Sequence, residues 1–449
     1  MKPGVIYIRN RAIIYNPDPD VVNYIKKTYT YDNPKYDPFK NPDVPEQVKS
    51  WSEKFKTIEF DVGILTFDTY LQKLPQIDER VMVPFKMNVT LPEDRDYQTR
   101  AIEVMTRYAQ GVLKAPCGSG KSLMMLKIMA NLGQRSILIV DEIKLILQWQ
   151  QNARKFAGMG RVGIIGNGEF TLLPFTVATI QTLYKLNKVQ WHRIEKYFGC
   201  LCVDECQKTP SPTCQVVVSK FWCKYKLGCS ATPKRMDGMQ FLLHNCISTV
   251  KHEIKDTELK VEGKYVDFEV RKTYTGLYVP DNNYNEMVKF ITQNNNRNEL
   301  IVSKVIANKD KLSLILTNRI LHAKTLLLML KRKGINAVLM IGEIDAQTRE
   351  RTRHNKNIQA IIGSSVADKG LDLPRIHAIF LTVISSNPYL LEQRVGRSRR
   401  VYEDKLRAIV YDFVDKGDAV QHMWDKREEF YIEHHAKIVE ERGGSTNVL

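Results

Sequence analysis

The stretch Ala115-Pro116-Cys117-Gly118-Ser119-Gly120-Lys121-Ser122 decides the fold of this chain. It sits between an apolar run ending at Ala115, which reads as a strand, and a helical pattern over 122–132, with Gly133 suited to the helix end. Glycines on either side of Ser119 let backbone N–H groups turn inward onto a phosphate, and the following helix N-terminus adds positive potential. Pro116, Cys117, Gly118, Ser119 and Gly120 then form the cradle, Lys121 spans the β- and γ-phosphates of a nucleotide, and Ser122 offers a hydroxyl to magnesium. Ala115 occupies the first glycine of the general GxxxxGK[ST] pattern, where a small side chain suffices. The bland alternative, a chance Gly-Lys turn, does not explain the strand before it and the helix after it.

Outward from this loop the chain alternates β-branched runs with helical segments, the signature of a parallel sheet covered on both faces. Strands are expected at 112–115, 137–140, 175–179, 200–203 and 226–229, and again at 313–317, 337–341, 359–363, 378–383 and 407–414. Two α/β units of about 150 residues each follow. Before them, 5–8 and 12–15 read as a β-hairpin, 16–45 as loop with at most short ordered pieces, and 58–74 as folded, giving a small β-containing N-terminal domain. The expected division is 1–94, 95–255, a connection at 256–290, 291–415, and a C-terminal helix and tail at 416–449. A β-hairpin is expected within 251–280 and a polar helix over 418–442.

The 449 residues are 43% hydrophobic and 26% charged, which excludes disorder as the dominant state. The net charge of +17 points to a polyanionic partner. It is uneven: residues 1–94 carry 13 basic and 14 acidic side chains, residues 95–250 carry 21 and 9, and residues 251–449 carry 33 and 27. No apolar run approaches the roughly 18 residues that cross a bilayer, and Arg9 and Arg11 interrupt the start where a signal peptide needs its apolar stretch. A cytoplasmic protein is expected, in a host cytoplasm if phage-encoded. The eight cysteines lack a CxxC pair and sit mostly in apolar surroundings, so buried thiols are favoured over a structural zinc.

Two further clusters carry chemistry. Cys200-Leu201-Cys202-Val203-Asp204-Glu205 is an apolar strand ending in two carboxylates; with a phosphate loop present, Asp204 is placed to hold magnesium and Glu205 to orient or deprotonate water. Without that loop, an N-cap or solvated turn would be the simpler reading. Gln393-Arg394-Val395-Gly396-Arg397-Ser398-Arg399-Arg400 packs four arginines into eight residues. A basic helix face on nucleic-acid phosphates is the bland reading; the sharper one has Arg397 and Arg400 reach a γ-phosphate from outside the first unit, so that hydrolysis would open and close a cleft. The lysines and aromatics of 26–40 interleave as on single-strand stacking surfaces, yet the balanced charge of 1–94 favours a structural or junction-positioning role.

The order of these motifs resembles the superfamily two nucleic-acid helicases and translocases over residues 92–415. That resemblance implies an α/β fold of two tandem RecA-like domains. Arg95-Asp96-Tyr97-Gln98 looks like the adenine motif, with Arg95 and Gln98 at the nucleotide. Asp204 to Gln207 corresponds to the DExH-type box and Ser230-Ala231-Thr232 to the motif that couples hydrolysis to nucleic-acid contact. Gly370 and Asp372 match a nucleotide-approaching motif, with Ser364 touching the strand, and Gln393 to Arg400 matches the QRxGRxxR finger. For nucleic-acid phosphates the family suggests Thr179 and Gln181 in the first unit and Thr317, Asn318 and Arg319 in the second, where loop capping is an equal alternative. Asp141-Glu142 replaces the usual Pro-Thr, which shifts the expected contacts to Lys144 or Gln148, and Gln207 replaces the usual His or Asp. Among subfamilies the UvsW-type branch-migrating DNA helicases, with RecG- and Rad25-like relatives, are most similar. The implied activity is ATP- and Mg2+-dependent helicase or translocase action on forked or branched DNA in recombination, repair or replication restart, with a monomer favoured. An RNA helicase and a passive nucleic-acid binder remain the alternatives.

Overall fold

The computed structural model describes the chain except residues 37–42, 92–94, 234–237, 342–351, 353, 364–372, 386, 404 and 443–449. Two compact units result, Met1–Lys255 and Asp256–Leu449.

The first unit is built on an eight-stranded sheet in the order Glu169–Thr171, Gly163–Gly166, Phe175–Thr179, Ser136–Val140, Cys200–Asp204, Tyr225–Ser230, Gln110–Lys114, Val250–Glu253. Every neighbouring pair is parallel except the first, which is a short hairpin. Central strands such as Ser136–Val140 are buried at every position, as a sheet covered on both faces requires. The helix Lys121–Leu132 starts at the phosphate loop and stops at Gly133, whose φ of +62° is the left-handed conformation that glycine adopts without strain.

Residues before 92 form a five-stranded sheet seated on this α/β sheet. Ile6–Ile8 and Ala12–Tyr15 pair antiparallel as expected, and Gln76–Asp78 returns parallel to Ile6–Ile8. The segment 16–45 departs from expectation: Pro19–Thr28 is a helix, started by the Asp18 side chain and Pro19 at its first position and held by buried Val21 and Ile25. The proline that reads as a loop signal here opens a helix. The seat is polar and close. Gly63 lies so near the His244 and Asn245 carbonyls that a Cβ there would collide with backbone, and Asn245 Nδ2 donates to Ser50 Oγ at 2.7 Å and to Tyr31 Oη at 3.0 Å. Lys226, fully buried, directs its Nζ at the Asn10 carbonyl, and burial pulls its pKa down to about 8.

The second unit holds a seven-stranded sheet, all parallel, in the order Ala337–Met340, Ala360–Gly363, Leu312–Leu316, Ile376–Leu381, Arg407–Lys416, Asp267–Tyr278, Lys437–Arg442. Two expectations are corrected here. No hairpin forms within 251–280; the alternating residues belong to one long strand, Asp267–Tyr278, paired with partners far along the chain. The C-terminal helix is Asp418–Glu433 and buries Val420, Trp424, Phe430 and Tyr431, after which Lys437–Arg442 closes the sheet edge. Arg427 is also buried, bound to Asp412 through Nε at 2.8 Å and Nη2 at 3.0 Å, so this helix is polar only on one side.

Candidate nucleotide site and nucleic-acid surface

At the C-terminal end of Gln110–Lys114 the loop turns through Gly118 and Gly120 at φ of +90° and +85°, which aims successive N–H groups into one concavity. Ser119 Oγ donates to the Pro116 carbonyl at 2.8 Å and Lys121 Nζ to the Ala115 carbonyl at 3.0 Å, so the lysine is folded over its own loop. Cys117 and Ser122 are half-buried beside it. Gln98 is buried, and its Nε2 donates to the Ser119 carbonyl at 2.8 Å. Its amide also fills the space above Gly120, where any Cβ would strike it. Gln98 thus grips the loop itself. Arg95 caps the helix Asp96–Arg107, which carries Gln98, with its backbone, its carbonyl accepting from the N–H groups of Gln98 and Thr99.

Asp204 ends the strand two positions across the sheet from the loop strand. It is half-buried, and desolvation, with the neighbouring Glu205 charge, holds its pKa above the ordinary range, while Lys121 pulls the other way. A desolvated carboxylate beside a phosphate cradle suits a hard cation. Among the described residues no three His, Cys, Asp or Glu side chains gather as a cage. A carboxylate and a hydroxyl such as Asp204 and Ser122 are the donor types that would hold Mg2+, an ion that keeps waters and phosphate oxygens as its other ligands. Glu205 occupies the left-handed region at φ +53°, an unusual place for a non-glycine residue that turns its side chain away from the strand path. Gln207 Nε2 donates to Glu205 Oε2 at 3.0 Å, so the residue that departs from the family box is the one holding the expected base.

The nucleic-acid expectations divide. Gln181 is exposed and donates to the Asp141 carbonyl at 3.0 Å; Asn318 is exposed and Arg319 Nη2 donates to Asn285 Oδ1 at 2.7 Å. Thr179 and Thr317 bond within the fold. Both are buried: Thr179 Oγ1 accepts from the Thr182 N–H and caps the helix Ile180–Lys185, and Thr317 Oγ1 is bonded to His322 Nδ1 at 2.9 Å. Asp141, the acid that replaces the usual motif, pairs with Lys208, which removes the expected repulsion at that position.

In the second unit the helix Pro388–Ser398 carries Gln393 and Arg397 one turn apart, with Arg400 just beyond its end. Arg399 is the arginine the fold consumes: it pairs with Asp256 and lies over Tyr265 and Phe268. Lys405 Nζ donates to the carbonyls of Pro374, Ile376 and Arg400, fixing the backbone at Arg400. Ser364, Gly370 and Asp372 lie outside the described residues. Sequence reading missed Trp149, whose indole donates to Asp204, because a tryptophan on an apolar helix face looks like core. Ser230 Oγ and Thr232 Oγ1 are buried and take no partner among the described residues, in keeping with a motif whose hydroxyls serve a changing contact.

A phosphate loop and acid pair on one parallel sheet, followed by a second parallel sheet with an arginine helix, define a helicase motor. Residues 91–235 match the family described as Type III restriction enzyme, res subunit, and residues 296–402 match the Helicase conserved C-terminal domain. The chain belongs to the superfamily two helicases, with two tandem RecA-like domains. It is similar to the Putative helicase 22 of a Sulfolobus islandicus filamentous virus, 25% identical across 93% of this chain and 79% of that protein. The DNA 3'-5' translocase XPB2 of Sulfurisphaera tokodaii is 30% identical over 46% of each chain, and the ATP-dependent DNA helicase uvsW of Enterobacteria phage T4 is 22% identical over 82% of this chain and 76% of that protein. Among solved structures, the Type ISP restriction-modification enzyme LlaBIII bound to DNA superposes with a TM-score of 0.61 at 13% identity, over 80% of this chain and 32% of that one.

Proposed function

We propose that the protein is an ATP- and Mg2+-dependent DNA translocase that remodels forked or branched DNA. The observation that carries the ATPase part is Asp204, ending a strand two positions across the sheet from the strand that leads into the Lys121 loop. In this reading Gln98, which braces the loop, reads the adenine edge with Arg95 beside it, Lys121 and the loop N–H groups bind the phosphates, and Glu205, held by Gln207, takes the proton of the attacking water. Arg397 and Arg400 stabilise the charge that develops on the transferred phosphoryl group, and Gln393 orients them. Mg2+ supplies charge neutralisation at the phosphate oxygens. Gly370 and Asp372 join the nucleotide set by their place in the motif order. Gln181, Asn318, Arg319 and Ser364 hold the nucleic-acid backbone.

DNA is favoured over RNA by two relatives named for DNA translocation or unwinding. The translocase relative also favours 3′ to 5′ movement. The test is a panel of labelled forks, three-way and four-way junctions, tailed duplexes and structured RNA, each incubated with ATP and Mg2+. Conversion of forks and junctions above tailed duplex is expected. Unwinding of tailed duplex alone contradicts branch migration, and preferential unwinding of RNA contradicts a DNA motor.

A further inference from the structure

Trp149 has one polar atom, and that atom is spent on the carboxylate expected to hold the metal. It lies on the helix Ile143–Ala157, is 1% exposed, and its indole Nε1 donates to Asp204 Oδ2 at 2.9 Å. The other carboxylate oxygen, Oδ1, accepts from the Glu205 N–H at 3.0 Å and faces the Cys229 thiol at 3.4 Å. A buried indole needs some acceptor, and a backbone carbonyl would satisfy it. Here the acceptor is a desolvated carboxylate, so the bond does more than satisfy the ring: it fixes the rotamer of Asp204 and leaves a defined set of lone pairs for a cation.

The same helix has a second side. It begins directly after Asp141-Glu142, and Ile143, Leu147 and Gln148 are exposed on it, with Gln148 adjacent in sequence to Trp149. Its start is tied to the nucleic-acid candidate Gln181 through the Asp141 carbonyl. A rigid helix with one face open and one indole on the metal carboxylate can transmit its seating to that carboxylate.

We propose that Trp149 is a positioning residue for the ATPase: its N–H sets Asp204 for the metal and makes that setting depend on how the helix Ile143–Ala157 is seated. The proposal rests on the reading of Asp204 as the metal carboxylate. The substitution Trp149→Phe removes the donor while keeping most of the ring. The measurement is binding of a fluorescent ADP to the full chain as Mg2+ is titrated. The Mg2+ concentration giving half-maximal enhancement is expected to rise ~10-fold in Trp149→Phe, as for other lost partners of metal ligands. Affinity in EDTA stays unchanged, and the ratio of ATP turnover with and without DNA falls. Wild-type Mg2+ dependence in that variant overturns the proposal.

Asp204→Ala separates the two readings. If it leaves the Mg2+ dependence intact, the assignment of Asp204 fails and Trp149 with it; if it abolishes the dependence while Trp149→Phe is silent, only the positioning role fails. Should Trp149→Phe not fold, the indole N–H resonance of Trp149 in the 15N-labelled wild type takes its place. It is expected to shift when Mg2+ is added to the ADP complex, and a resonance indifferent to Mg2+ overturns the proposal.

Discussion

Single side chains in this protein show where spacing carries information and where it does not. The phosphate loop is legible because glycine, lysine and hydroxyl must recur in a fixed order to wrap a phosphate. A threonine at a strand end carries no such constraint, since its hydroxyl suits a helix cap and a phosphate equally; Thr179 caps the helix Ile180–Lys185, and Thr317 is bonded to His322. Gln207 was legible as a departure but not as the partner of Glu205. Because its amide holds Glu205, the proposed base, Gln207→Ala should lower DNA-stimulated kcat by ~10-fold with little change in KM for ATP, read by steady-state ATPase assay. His322 makes a different prediction. Buried between Thr317 and Asn298, it has its pKa lowered to about 3 by burial first and by the Arg297 charge second. The unfolded chain protonates near pH 6.5 and the folded one does not, so stability is full above that pH and falls as pH drops toward 3. Urea unfolding at pH 7 and pH 5 should show this loss in the wild type and a flatter profile in His322→Asn.

Elements were legible where the hydrophobic pattern is local and illegible where the partner is distant. The interior strands of both sheets are continuous apolar runs that no other element explains, and they fell within a few residues of expectation. Lys437–Arg442 is charged at four of six positions and reads as solvated helix; it becomes a strand because Asp267–Tyr278 presents an open edge. Glu441 then pairs with Arg271 on the neighbouring strand at 3.0 Å and with Lys304 on the helix Asn295–Ile306 at 2.6 Å. Removing residues 437–449 should expose that edge and lower the thermal midpoint of the second unit by ~5 °C or more, measured by calorimetry. Pro19–Thr28 was hidden by its proline-rich surroundings, though Asp18-Pro19 is a helix start in its own right. Asp18→Ala should cost about 1 kcal/mol of first-unit stability by chemical unfolding.

At the scale of the molecule, the charge surplus and the motif order answer different questions. The charge identifies a polyanion but not its role, and Lys121, Arg397 and Arg400 are basic residues assigned to nucleotide phosphates rather than to DNA. The neutral N-terminal residues are built into the first unit through Gly63, Asn245 and Lys226, a close seat that sequence could not show because glycine at a contact and glycine in a turn look alike. The most direct test of an ATP-driven DNA motor is steady-state ATP hydrolysis with and without forked DNA, in the wild type, Lys121→Ala and Glu205→Gln. Strong stimulation by the fork in the wild type, with loss of turnover by 100-fold or so in both variants and an unchanged thermal midpoint, is the expected result. Turnover that persists in both variants, or that ignores DNA in the wild type, contradicts it.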